Sequence, residues 1–320
     1  MEERPYSYKP APRFFGGGDT FLGVELEVIA PDYERKASGL AIETRPTWCY
    51  AKRDGSLPGT GWEMVTHPIS MNFWMSSDNA SSYRDYHNIQ PGQVLTARYK
   101  GETYTATVRE GGQVEWNGTV YSSISACGKA IRGGKSTNGY DFFGLTRDHQ
   151  PNPVGNFFRL VEQLKELGYT SHDGGRCGFH VHVSRTAFSE DGSVDNERFF
   201  RFKCLVNGML FRKLSQRDDF GFCQQEPVVR DGSWWRNRGR YSAVNLTEKT
   251  AEIRIFRGNL REKRLRKNIE AVIAVVEYAR EATDWTAPTD EAFVAWVNAR
   301  EDRFPNLVAY IEMLDGTGDR

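Results

Sequence analysis

Four segments of this chain alternate polar and apolar side chains with a period of two, and together they span most of its length. They are GVELEV with Glu25 and Glu27, GWEMVT with Glu63, CGFHVHV with His180 and His182, and AEIRIF with Glu252 and Arg254. A period of two belongs to a β-strand, whose successive side chains leave on opposite faces. In the first segment the opposite alternates are Leu22, Val24, Leu26 and Val28, so the pattern predicts strands with one face on a core and the other carrying carboxylates and imidazoles. Two ionised carboxylates in contact repel by about 4 kcal/mol for an effective dielectric near 20, and a site that keeps both charged calls for a cation between them. The pattern points to a metal-dependent active site.

Each pair has an ordinary explanation when taken singly. An acidic strand face is either plain solvent or the floor of a cleft, a histidine pair serves hydrogen bonding as well as ligation, and Glu252 beside Arg254 can be a surface ion pair worth under about 1 kcal/mol. Their joint occurrence as the polar alternates of one apparent sheet favours a shared site, and carboxylates with imidazoles suit a hard or borderline divalent ion.

Composition narrows the class. The 320 residues carry 42 basic and 42 acidic side chains, for a formal net charge of zero, so no global field marks a nucleic-acid or membrane binder. The opening MEERPYSYKPAPRFF has no signal-peptide core, and no run approaches the ~20 apolar residues of a membrane helix; the expected location is the cytoplasm. Five cysteines, Cys49, Cys127, Cys177, Cys204 and Cys223, lack paired spacing and read as reduced thiols.

Along the chain, a first strand at 21–29 is followed by two more within 41–69, joined through the turn sequence RDGSLPGTG. From Gln90 to Gly144 the texture changes to short alternating runs, VLTARY, TYTATV, QVEWN and TVYSS, with a hairpin signal at Asn117-Gly118 and a brief helix in SISACGKAIRGG. Next come an amphipathic helix over NFFRLVEQLKELG, the histidine strand, and one long helix from Asp195 to Ser215 with Phe199, Phe202, Leu205, Met209 and Leu214 inward. After an Arg- and Trp-rich loop, the strands YSAVNL and AEIRIFRG precede a long helix from Glu262 and two short C-terminal helices, the last opening at Pro305.

GVELEV, DGSLPGTGWEMVTHP, CGFHVHV, AVNL and EIRIFRG, in this order, resemble the amidoligases, carboxylate-amine ligases related to glutamine synthetase and glutamate-cysteine ligase. The resemblance implies an α+β fold in which a curved antiparallel sheet, a funnel like that of glutamine synthetase, is backed by helices. It divides the chain into a discontinuous catalytic domain, 1–75 and 150–320, and an inserted β-rich module, 90–146. It further implies ATP and two or three Mg2+ ions as cofactors, and small-molecule or peptide carboxylates and amines as substrates. Carried over by position, Glu25 and Glu27 would sit on different ions, Glu63 would complete the second, and His180 would share the first with Glu25 and Glu252. His182 would reach the nucleotide phosphates, with Arg240, Asn245 and Lys249 on the nucleotide side. Arg254 and Arg257 would hold the substrate carboxylate and steady the charge of transfer. The glutamine synthetase relatives carry an arginine two residues before the matched Glu252, where this chain has Thr250.

The module itself, with its Ser-rich turn and NGYDFF ending, is similar to the RAMA-like modules associated with restriction enzymes and adenine methylases, which implies possible DNA binding. Its charge adds little. Arg98, Lys100, Arg109, Lys129, Arg132 and Lys135 face Glu102, Glu110, Glu115 and Asp141, a small excess against what nucleic-acid binding demands. From Arg230 to Lys267 cations outnumber carboxylates twelve to four, and Trp234 and Trp235 lie among them, so a triphosphate, stacked nucleic acid or a solvated face each accounts for the run. Three other classes stay open: a zinc hydrolase using the same ligands, a nucleic-acid binder on an inactive ligase fold, and a partner-binding protein.

Overall fold

The computed structural model describes residues 10–43, 48–75, 92–109, 113–137, 139–144, 152–172, 177–236, 239 and 241–316. The chain divides into two compact units, Met1–Asn79 with Pro153–Arg320, and Ala80–Asn152. Both combine helices with antiparallel sheet, an α+β architecture.

In the larger unit the period-two segments become strands β1 (Phe21–Ile29), β2 (Cys49–Lys52), β3 (Gly61–Thr66) and the short β4 (Ile69–Ser70). β9 (Gly178–Ser184), β10 (Val244–Leu246) and β11 (Thr250–Arg257) complete the sheet. Its order is β10-β11-β9-β1-β3-β2, with β4 also paired to β1, and every ladder is antiparallel. The apolar alternates Leu22, Val24, Leu26, Trp62, Met64, Phe179, Val181 and Ile253 are fully buried. Burying one such side chain stabilises by roughly 1.5–3 kcal/mol relative to exposing it, which is why the alternation decides which face is inward.

Helices cover that apolar face. α1 (Tyr33–Glu43) and α2 (Met71–Trp74) flank the first strands, and α5 (Pro153–Glu166) stops at Gly168, whose φ of 80° is the left-handed ending glycine tolerates. The Trp74 ring meets Phe157 of α5 edge-on at 5.7 Å. Behind β11, Phe256 packs against Phe211 of α7 (Met209–Ser215) and lies 5.6 Å from the Lys267 ammonium of α8 (Glu262–Arg280). α9 (Asp290–Asn298) and α10 (Pro305–Leu314) end the chain.

The expected single helix from Asp195 to Ser215 is two. α6 (Glu197–Val206), capped by Asn196, ends at Asn207, and α7 restarts after Gly208. The break is satisfied from outside: the Gln225 amide donates to Val206 O and Gly208 O, and Asp290 accepts from Leu210 N. Restarting the helix changes its phase, so Met209, expected inward, is 63% exposed.

The smaller unit is a four-stranded meander, β5 (Val94–Tyr99), β6 (Glu102–Val108), β7 (Val114–Trp116) and β8 (Thr119–Tyr121), followed by α3 (Ile124–Ile131) and α4 (Gly139–Phe142). Both of its tightest turns put two residues at positive φ, Lys100-Gly101 and Asn117-Gly118, the backbone that two-residue hairpins require. Its core, built from Leu95, Val108, Val114, Ile124, Cys127 and their neighbours, is its own. All five cysteines are free, and no helix among the described residues is long and apolar enough to cross a membrane.

Candidate functional site

Register decides which side chains share the open face of the larger sheet. Glu25 lies opposite His180, Glu27 opposite Glu63, Glu63 opposite Lys52, His182 opposite Glu252, and Glu252 opposite Asn245. Paired residues point to the same side, so six strands deliver their polar alternates to one surface. Glu27, Glu63, His180 and Glu252 are all at most 5% exposed.

Two groups of potential ligands emerge, Glu25 with His180 and Glu252, and Glu27 with Asp54 and Glu63; within each, one oxygen or nitrogen per residue lies within 4.8 Å of the others. Between them, His180 Nδ1 is 3.7 Å from Glu25 Oε2 and 3.5 Å from Glu252 Oε1, and its Nε2 is 3.9 Å from Glu27 Oε1. These separations exceed a hydrogen bond. His180 Nδ1, His182 Nε2 and Arg254 Nε are buried without a hydrogen-bond partner, and Glu63 Oε2 lies 2.8 Å from Lys52 Nζ but off the hydrogen-bond line. Buried polar atoms left in this way on one surface fit a ligand that completes them.

The electrostatics are those of crowded charge. Burial alone would raise Glu25, yet the nearby imidazoles of His180 and His182, with the charge of Lys52, hold it well below the usual carboxylate range. For Glu63, burial and the Glu25 charge win over Lys52 and push the carboxyl up to about 8. His182 is raised, because Glu25 and Glu252 outweigh its burial. Burial and Glu25 push Tyr50 up to about 12. One carboxylate is forced to ionise while its neighbour resists, the signature of acidic groups brought closer than they tolerate without a cation.

The supporting contacts orient the ligands. Thr250 Oγ1 lies 3.2 Å from His182 Nδ1, leaving Nε2 toward Glu25 at 3.4 Å; the residue that departs from the ligase pattern thus orients a histidine. Asn245 donates to Glu252 Oε2 at 2.8 Å, and Arg254 pairs with Glu252 Oε1. Between Ile253 and Phe256 the register slips, with one residue more on β11 than on β9. The slip turns Phe256 to the core and sets Arg257 opposite Gly178 on the polar face, which is how arginines three apart serve one surface. Lys249 is exposed in the turn between β10 and β11, and Arg240 lies outside the described residues.

Two further residues join the site from loops. Asp54, in the turn after β2, continues the alternation Tyr50, Lys52 by one step; that step was the available signal. Arg217, just past α7, donates to Cys177 O and Phe256 O, both at 3.3 Å. A Cβ on Gly178 would come within 2.6 Å of His180 Nε2 and 2.7 Å of Arg217 Nη2, so any side chain where β9 enters the cluster must displace both groups. No sequence pattern announces Arg217. Of the two tryptophans considered for stacking, Trp234 is buried, bonded to Asp195 and packed edge-on against Phe200 and Trp285, while Trp235 is half-buried.

Residues 66–146 match a family described as a protein of unknown function (DUF2924). The match covers most of the smaller unit and the stretch leading into it, and leaves nearly all of the acidic and histidine strands outside. No curated protein and no solved structure matches the chain.

Proposed function

We propose that the larger unit is an ATP-dependent carboxylate-amine ligase whose sheet is the funnel of the glutamine synthetase relatives. The observation that carries the reading is the adjacency of the two ligand groups on one sheet face, with Glu25 and Glu27, two apart on β1, each assigned to a different group. An all-carboxylate group beside a mixed carboxylate-imidazole group suits hard divalent ions such as Mg2+. Bound there, the ions would neutralise the triphosphate of ATP, whose γ-phosphoryl group would pass to a substrate carboxylate with release of ADP; an amine would then displace phosphate and leave an amide.

The chain's own part is positioning. Glu25, His180 and Glu252 would hold one ion and Glu27, Asp54 and Glu63 the other, while Thr250 and Asn245 fix the orientation of His182 and Glu252. His182, raised by the carboxylates of Glu25 and Glu252, would face phosphate oxygens. Arg254 and Arg257 would hold the substrate carboxylate and the charge that develops on it. No thiol is needed: burial, the largest influence, raises Cys223 against the opposing Arg217, the reverse of what a thiolate nucleophile requires.

A zinc hydrolase would use Glu25, His180 and Glu252 equally well; the second, all-oxygen group favours the ligase. The test is to incubate the purified protein with ATP, Mg2+ and a pool of amino acids and peptides, following ADP and new masses. ADP release that depends on an added amine and yields a condensed product supports the reading. Zinc-dependent cleavage with no nucleotide turnover replaces it with the hydrolase.

A further inference from the structure

Lys52 occupies an unusual place in this cluster. Its ammonium lies 2.8 Å from Glu63 Oε2 and 3.6 Å from Glu25 Oε1, and those carboxylates belong to different ligand groups. Glu63 and Glu25 have side chains only 4% and 14% exposed, whereas that of Lys52 is 42% exposed. The lysine enters from β2, the end of the sheet order, and is open to solvent along its flank. Lysine suits such a place, being a compact charge on a flexible stem that can leave a carboxylate without breaking a planar fork.

We propose that Lys52 is a resident cation that couples the two ion positions: without ions it holds Glu25 and Glu63 together, and each arriving ion must take its carboxylate from that ammonium. The inference rests on the ion-binding reading above and deepens it, making Lys52 a positioning residue rather than a ligand. Charge arithmetic sets the direction. A divalent ion entering either group meets a positive charge a few ångströms away, so the lysine weakens ion binding and strengthens the ion-free cluster. Removing it favours a divalent ion twice as much as a proton, and proton uptake by the freed carboxylates offsets only part of the gain. Because one ammonium contacts both groups, filling the first site displaces it from the second, and the second ion binds more easily.

Mn2+ is the probe, titrated into the full-length protein by calorimetry and by the loss of its free electron-spin signal, for wild type, Lys52→Met and Lys52→Arg. The expected result is binding tightened by about tenfold or more in Lys52→Met, loss of cooperativity between the ions, and near wild-type affinity in Lys52→Arg, which keeps the charge. The ion-free Lys52→Met protein should melt below wild type and recover when Mn2+ saturates it. Equal affinity in all three proteins, or weaker binding in Lys52→Met, overturns the role of Lys52 and leaves the ion sites standing. Absence of Mn2+ binding in all three overturns both.

Discussion

Gly178 and Lys267 locate opposite demands on single residues, one for absence of bulk and one for burial of charge. At Gly178, even a methyl group would enter the space of His180 Nε2 and of an Arg217 guanidinium tied to two backbone carbonyls. Gly178→Ala is therefore expected to lower stability by about 1–3 kcal/mol and to weaken Mn2+ binding with it; urea unfolding and the Mn2+ titration check the two effects together. Lys267 is fully buried in α8, its ammonium donating to Leu214 O and lying 4.5 Å over the Tyr310 ring. Burial, with the Arg264 charge, holds it well below the ordinary lysine value. The folded protein then binds fewer protons than the unfolded chain from that depressed value up to about 10.4, and stability contributed at this residue rises with pH across that window. Lys267→Met removes the cost. Unfolding free energies are expected to exceed wild type by about 1–3 kcal/mol near neutral pH, with the advantage shrinking as pH approaches 10; a constant difference across the series would contradict the assignment.

At the scale of elements, regular structure was legible wherever a single period ran unbroken. The strand alternations identified Glu25, Glu27, Glu63, His180 and Glu252 because burial of one face dictates the other, and α8 followed from its apolar stripe. What stayed hidden depends on contacts between elements. The register slip that brings Arg257 to the polar face has no local signal, Asp54 hides in a turn whose Gly and Pro content explains itself, and Arg217 is placed by carbonyls of β11 and of Cys177 just before β9. Asn207-Gly208 could have announced the break between α6 and α7, but the continuing apolar period masked it. The break is stabilised from the start of α9, where Asp290 accepts from Leu210 N at 2.8 Å in place of a cap that Gly208 cannot supply. Asp290→Ala should cost about 1 kcal/mol, and amide exchange should quicken in the first turn of α7 more than in α6. Equal protection in wild type and Asp290→Ala would mean that packing of Phe211 and Leu214 alone holds the helix.

On the scale of the whole molecule, the two units are built by the same rule in different sizes. The larger closes its sheet with helices on one face and keeps the other for charge. The smaller has a separate sheet and a separate core in which Val114, Ile124 and Cys127 are at most 2% exposed, so its stability should not depend on strands β1, β9 and β11. A unit of this size buries a smaller fraction of its surface than a large domain and stands nearer the stability threshold, so a core truncation in it should register clearly. Ile124→Ala in the full chain is expected to lower the unfolding free energy of the smaller unit by about 2–4 kcal/mol, while hydrogen exchange in β1, β9 and β11 stays at wild-type rates. Residues 80–152 expressed alone should show one cooperative transition with the same sensitivity to Ile124→Ala, and should retain any salt-sensitive DNA shift that the whole protein gives. If the truncation instead loosens the strands that carry Glu25, His180 and Glu252, the two cores are energetically one, and the smaller unit is part of the machinery that holds the acidic face together.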